Sequence, residues 1–363
     1  MDSPDSNMDS DTLSRLTTLR RQYFQLVEPS KIRWPDDVTL IRSDVQSWMF
    51  NKMFDVESVA FPPPEEYQLR ALKLLIAKLE GSIFDPEKDE ISDDLMSTLA
   101  VLFSSKIAPE STTIQQKAFV TYEYPSRSHK GIDDEYRITV LESRLVLASA
   151  GTTGLRTWEA SLLLASFLTS ERGQMEVVGK RVFELGSGSG MLSILCAKYL
   201  GVSSIVATDG NEGIVDALKT NIFLNKIDSE GPNHSTIRTA ALKWGWPLNA
   251  SSFAEDYGME VPDVVLGADV TYDKYAVPCL VSSLRELFDL NPALQVLIAA
   301  TIRNEQTFEV FQTACKRNGF SMELIDFPQK SEHQQDGPFI STSIPIQIWR
   351  IANPQAPRDT SSY

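Results

Sequence analysis

Apolar positions between residues 13 and 106 recur with helical spacing. Leu16, Leu19, Tyr23 and Leu26 form one series, and a second amphipathic stretch runs from about Ser43 to Phe54. In "PPPEEYQLRALKLLIAKLEG" prolines and glutamates open a helix, Leu72, Leu75, Ile76 and Leu79 make one apolar face, and Gly81 closes it. Ser92 to Lys106 continues the pattern as a fourth helix. No chemical motif falls in this part of the chain.

The texture then changes. "KAFVTYEYP" and "EYRITVLES" read as two strands around a polar turn at Ser126 to Asp134. From Thr153 helices alternate with short Val/Ile/Leu-rich runs. The helices fall at about 155–172, 191–200, 212–225, 275–289 and 305–318, and the strands at 181–186, 204–208, 237–242, 263–268 and 294–301. Such alternation predicts a parallel sheet covered by helices. "FSMELIDF" and "IPIQIWRI" follow with no helix between them and predict an antiparallel hairpin at the sheet edge. The expected organisation is an acidic disordered tail at 1–12, a helical domain at 13–115, an α/β domain at 116–352 and a flexible tail at 353–363.

"VFELGSGSG", Val182 to Gly190, ends a strand with an acidic residue and then places glycine at every second position. In an open parallel sheet the ligand crevice lies beyond the C-terminal strand ends, and glycine there lets a ligand approach bare backbone. A dinucleotide site wants Gly-x-Gly-x-x-Gly, whereas here the spacing is Gly-x-Gly-x-Gly. Glu184, close to the first glycine Gly186, would repel a pyrophosphate and attract an ammonium group. Asp209, in "VATDGN", lies about twenty residues past the loop, where a carboxylate accepts hydrogen bonds from ribose hydroxyls. S-adenosylmethionine carries both an ammonium and a ribose diol, so methyl transfer stands ahead of hydride transfer. The plainer reading of a lone glycine cluster is a tight strand-to-helix turn.

Composition narrows the partners. The formal net charge of −15 argues against nucleic acid, which needs clustered Lys and Arg. Met1 to Thr12 has no signal-peptide pattern, and apolar runs such as "LQVLIAA" are shorter than a membrane-spanning helix needs. A soluble, cytoplasmic monomer without membrane contact is the expectation. Cys196, Cys279 and Cys315, like His129, His234 and His333, are scattered, and no metal site is expected.

"VFELGSGSG", "VATDGN", "NIFLN" and "VVLGADVTYD" resemble, in order and spacing, the seven-β-strand protein-lysine methyltransferases, whose mark is Asp-x-x-Tyr after the fourth strand, here Asp269 and Tyr272. "ESRLVLASAGTTGLRTWEAS" resembles the segment before the glycine loop in the elongation factor 2 lysine methyltransferases of this family. The resemblance implies an α/β, Rossmann-like seven-stranded methyltransferase sheet with a terminal antiparallel hairpin, preceded by a smaller helical N-terminal domain. It implies S-adenosylmethionine as cofactor and a lysine of elongation factor 2 as acceptor. Other acceptors, such as another protein lysine or a small amine, stay open, as does a non-catalytic interaction protein that retains the fold.

Carried over by position, the resemblance places Trp158, Glu184, Gly186, Ser187, Gly188, Asp209, Trp244 and Ala268 around the cofactor. Trp246 reads as core packing and Asp273 as a helix N-cap. Lys243, in "ALKWG", departs from the family, which has an acidic residue before the tryptophan; a lysine cannot accept a hydrogen bond from adenine. Asp269 is expected to hydrogen-bond and orient the incoming amine, with Tyr272 lining the lysine channel. The helical N-terminal region is expected to dock the protein substrate.

Overall fold

The computed structural model describes residues 8–105, 117–125, 135–143, 154–227 and 236–354. The polar turn expected at Ser126 to Asp134, much of the segment "ESRLVLASAGTTG" and the outer parts of both tails lie outside the described residues. Two compact units divide the chain. Met1–Glu123, Leu141–Leu145 and Asp336–Phe339 make the first, and Tyr124–Val140, Val146–Gln335 and Ile340–Tyr363 make the second.

In the first unit the helix Ser10–Phe24 starts inside the segment expected to be tail. Asp9 makes this start, because its carboxylate accepts from the Thr12 N–H at 2.9 Å. Leu16, Leu19 and Tyr23 are buried on one face of that helix. Leu26 lies past its end in the left-handed region, at φ 58°, and is buried all the same. The helix Ser43–Met49 runs on into a π turn at Phe50–Phe54. Glu65–Gly81 buries Leu72, Leu75, Ile76 and Leu79 as its periodicity requires, and Asp93–Ser104 follows. A short helix, Asp37–Leu40, has too few residues to show a period. Glu123 is almost fully buried and is held by Arg20 at 2.8 Å and Arg21 at 3.6 Å.

Strands β1 (Lys117–Tyr124) and β2 (Tyr136–Ser143) form a two-stranded sheet. The second unit holds the large sheet, built from β3 (Arg181–Leu185), β4 (Ser204–Asp209), β5 (Thr236–Ala241), β6 (Val264–Ala268), β7 (Gln295–Thr301), β8 (Ser321–Ile325) and β9 (Ile346–Ala352). Their order is β5-β4-β3-β6-β7-β9-β8. Pairs are parallel through β7, while β9 runs antiparallel to both β7 and β8. The terminal hairpin is therefore threaded with its second strand inside and β8 at the edge.

From β3 the chain steps outward to β4 and β5, then returns to the other side of β3 for β6 and β7. That reversal opens a crevice at the C-terminal ends of β3 and β6, where ligands bind in sheets of this kind. One face of the sheet is sealed by Phe183, Val206, Val265 and Ile298 packed with Leu280, Leu284 and Phe288 of the helix Val277–Leu290.

The helix expected at 155–172 is two helices, Glu159–Leu168 and Glu171–Val177. Ser170 separates them by accepting from the Gly173 N–H at 3.2 Å, a cap inside the stretch expected to be one helix. The helix Phe253–Tyr257 is also too short to register in the sequence. Among the described residues no helix is long and apolar enough to cross a membrane.

Candidate active site

The loop after β3 is shaped by what surrounds it. Gly186 has φ 66°, and a Cβ there would lie 2.9 Å from Val270 Cγ1 and 3.3 Å from Trp244 Cζ2. Gly188 has φ 53°, and its Cβ would lie 3.1 Å from the Gly154 carbonyl. Both positions are thus closed to side chains by conformation and by space. Ser187 ties the loop to the next strand, its N–H and hydroxyl both donating to the Thr208 carbonyl at 2.8 and 3.1 Å. Ser189 shares a 2.6 Å hydrogen bond with Thr157, which fixes the segment carrying Trp158.

A cavity of about 780 Å³ opens over this loop, within the usual size of a small-molecule site. Trp158, Gly186, Ser187, Gly188, Asp209, Trp244, Ala268, Asp269 and Tyr272 all line it. Of the residues predicted around the site, Glu184 is the exception. Its carboxyl is buried beneath the loop, where the Ser193 hydroxyl donates to it, and it does not border the cavity. The helix Met191–Tyr199 that follows the loop brings Ser193 to it, so the carboxyl is held in the interior and not in the cavity. Burial pushes the Glu184 carboxyl up to about 8, so it is largely neutral at pH 7.

Asp209 ends β4 at the cavity wall. Its carboxylate accepts from the Gly188 N–H at 3.3 Å and from the Asn211 N–H at 3.0 Å. Burial raises this carboxyl above its ordinary range, and these backbone donors oppose the shift. Opposite, Trp244 lies against Gly186, and the Gly245 N–H after it donates to Ser283 at 2.9 Å. Lys243 borders the cavity and rests its ammonium 5.4 Å from the Trp246 ring centre. Trp246 is not core, as its apolar character suggested, but 64% exposed, because it sits in the turn beyond β5 where no layer covers it.

Asp269 follows β6 with φ 52°, a left-handed conformation uncommon outside glycine, asparagine and aspartate. Its N–H still pairs with the Ala299 carbonyl at 2.9 Å, so the turn swings only the side chain out of register. The carboxylate accepts from the Thr301 N–H at 2.8 Å, the Thr301 hydroxyl at 2.9 Å and the Arg303 guanidinium at 3.4 Å. Burial raises its pKa, while the Thr301 N–H and Arg303 pull it down. Three residues on, Tyr272 is 61% exposed at the cavity rim. Asp273 is not the N-cap of the next helix, since Ala276 holds that position; its carboxylate accepts from the Tyr275 N–H at 2.8 Å and closes a separate turn first.

Arg303 and Thr301 belong to no motif, and Arg156 and Glu159 fall inside "GTTGLRTWEAS", which assigns them no role. Arg303 lies 5.1 Å above the Trp158 ring and 3.8 Å from Glu159, and Arg156 lies 5.3 Å from the same ring. The one signal available was position: Arg303 follows β7 at the same sheet end as the glycine loop and Asp269.

A family model described as lysine methyltransferase matches residues 142–317. A protein-lysine N-methyltransferase EFM3 from Chaetomium thermophilum is 40% identical over 330 residues, which are 91% of this chain and 95% of that protein. The chain belongs to the lysine methyltransferase family. Protein-lysine N-methyltransferase EFM3 of Saccharomyces cerevisiae is 33% identical over 53% of this chain and 57% of that protein. Protein-lysine N-methyltransferase EEF2KMT of Homo sapiens is 28% identical over 85% of this chain and 86% of that protein. Membership makes this protein a protein-lysine N-methyltransferase and removes the hydride-transfer and non-catalytic alternatives. The matched region contains the glycine loop, Asp209, Asp269 and Arg303 alike.

Proposed function

We propose that this methyltransferase uses S-adenosylmethionine to methylate a lysine of elongation factor 2. The observation that carries the reading is one cavity lined both by the bare Gly186–Gly188 backbone with Asp209 and by Asp269 with Tyr272. Similarity to EFM3 and EEF2KMT over most of the chain supports a protein lysine of this kind as acceptor.

The residues fit the cofactor. A side chain at Gly186 or Gly188 would fill the cradle, Asp209 offers carboxylate oxygens suited to a ribose diol, and the Trp158 and Trp244 rings offer flat apolar walls. Bound there, S-adenosylmethionine supplies an electrophilic methyl group. The side chains of this protein do the rest. Asp269, held by Thr301, accepts a hydrogen bond from the acceptor amine and fixes its direction. Tyr272 packs on the aliphatic stem of the lysine. Water leaves the cavity as the protein substrate covers its mouth, and the amine gives its proton to water.

The helical N-terminal unit docks the substrate in this reading. Met96, Val101 and Phe103 on Asp93–Ser104 are exposed apolar side chains that a protein partner would cover. Mass spectrometry of unmethylated elongation factor 2 after incubation with enzyme and S-adenosylmethionine tests the reading. A mass gain at one lysine is expected, with Asp269→Ala reducing the rate about a hundredfold. No gain with intact enzyme and bound cofactor would refute the acceptor.

A further inference from the structure

Four charged side chains form one cluster, of which Asp269, Arg156 and Arg303 line the cavity while Glu159 pairs with Arg303. Asp269 comes from the turn after β6, Arg156 from the segment before the helix Glu159–Leu168, Glu159 from the first turn of that helix, and Arg303 from the turn after β7. Asp209 and Lys243 are the other charged side chains that line the cavity. The Arg303 guanidinium is 3.4 Å from Asp269 and 3.8 Å from Glu159, and its Cζ lies over the Trp158 ring, 5.1 Å from its centre. Arg156 lies 3.9 Å from Glu159. Two carboxylates are therefore matched by two guanidiniums before any substrate arrives.

This balance bears on how a lysine enters. Free lysine has a pKa near 10.4, so at neutral pH it arrives as ammonium, which has no lone pair for attack. An unpaired carboxylate would bind that ammonium well and hold its proton in place. Asp269 is not unpaired: Arg303 already occupies it, and a second cation beside Asp269 would meet the guanidinium. A free amine meets no such repulsion and still donates an N–H to Asp269.

We propose that Arg303 is a specificity-determining residue that makes the cavity accept its lysine beside Asp269 as the free amine. The acceptor ammonium gives one proton to water and keeps its lone pair on nitrogen, and Asp269 then receives a neutral hydrogen-bond donor. Glu159 and the Trp158 ring hold the guanidinium in place, so it does not leave with the arriving substrate. The inference rests on the lysine-methylating function and adds the protonation state that the site selects.

Two measurements test it, one of them independent of turnover. The first follows kcat on elongation factor 2 over about pH 6 to 10 for the intact protein, Arg303→Met and Arg303→Lys. Arg303→Met is expected to raise the ascending limb by about one pH unit, lowering the rate at pH 7 about tenfold and recovering most of it at high pH. Recovery at high pH also shows that the variant is folded. Arg303→Lys keeps the charge and the original limb. An equal loss at every pH, with the limb unmoved, would overturn the proposal. The second measurement titrates n-butylammonium, a lysine side-chain mimic, into the enzyme at pH 7 by calorimetry. Arg303→Met should bind it about fivefold tighter, following the loss of a neighbouring positive charge; equal or weaker binding overturns the proposal. If intact enzyme adds no methyl group to elongation factor 2, the acceptor assignment fails, and the titration still decides the role of Arg303.

Discussion

Glu184 shows how far a residue's role depends on what another segment places against it. Its carboxyl is neutral in the folded protein up to about pH 8 because burial outweighs the Ser193 hydrogen bond. In the unfolded chain it ionises near 4.5. Between these values the folded state binds a proton that the unfolded state has lost, so stability falls as pH rises, by up to about 1.4 kcal/mol per pH unit. Glu184→Gln should remove that dependence, and chemical denaturation at pH 5 and pH 8 should show a smaller difference for the variant. Gly186 makes the opposite case, where the residue type itself is the constraint. Gly186→Ala is expected to weaken cofactor binding more than about tenfold by calorimetry, since its methyl group must displace Val270 or Trp244 at a backbone angle alanine resists.

At the scale of elements, the strands of the large sheet agree with the apolar runs to within one residue at most ends, because runs of Val, Ile and Leu bounded by turns leave little freedom of register. Helix breaks were less visible. Glu159–Leu168 and Glu171–Val177 fall on a stretch expected to hold one helix, and the break comes from Ser170 and from Gly173, where a Cβ would overlap the Phe167 carbonyl. Gly173→Ala should therefore destabilise the protein by about 1–3 kcal/mol, read as a lower denaturation midpoint without a change of slope. The turn after β6 belongs here too. Asp-x-x-Tyr marks Asp269 and Tyr272, but the left-handed backbone that turns Asp269 toward Thr301 and Arg303 leaves no mark in composition.

For the whole molecule, the cavity lies where the strand order reverses, and its walls come from segments more than about a hundred residues apart, Gly154 to Phe308. A ligand that binds only this assembled arrangement stabilises it by mass action. S-adenosylmethionine at about a hundred times its Kd should add about 2.7 kcal/mol of stability, measurable as a raised Tm, and Asp209→Ala should abolish the increment.

Asp269 is marked only by resemblance to the family's Asp-x-x-Tyr, whereas the sequence by itself determined the alternation of helices and strands, the terminal hairpin, and the glycine loop with Gly186, Gly188 and the Asp209 that follows. These were legible because spacing within a few residues dictates which side of a strand or helix a residue takes. Tertiary structure alone decided that Glu184 lies under the loop, that Trp246 stands in solvent, and that Arg303 reaches Asp269. Each of those depends on what another segment places opposite, and the distance between Arg303 and Trp158 in the chain carries no trace of the 5.1 Å between them in the fold.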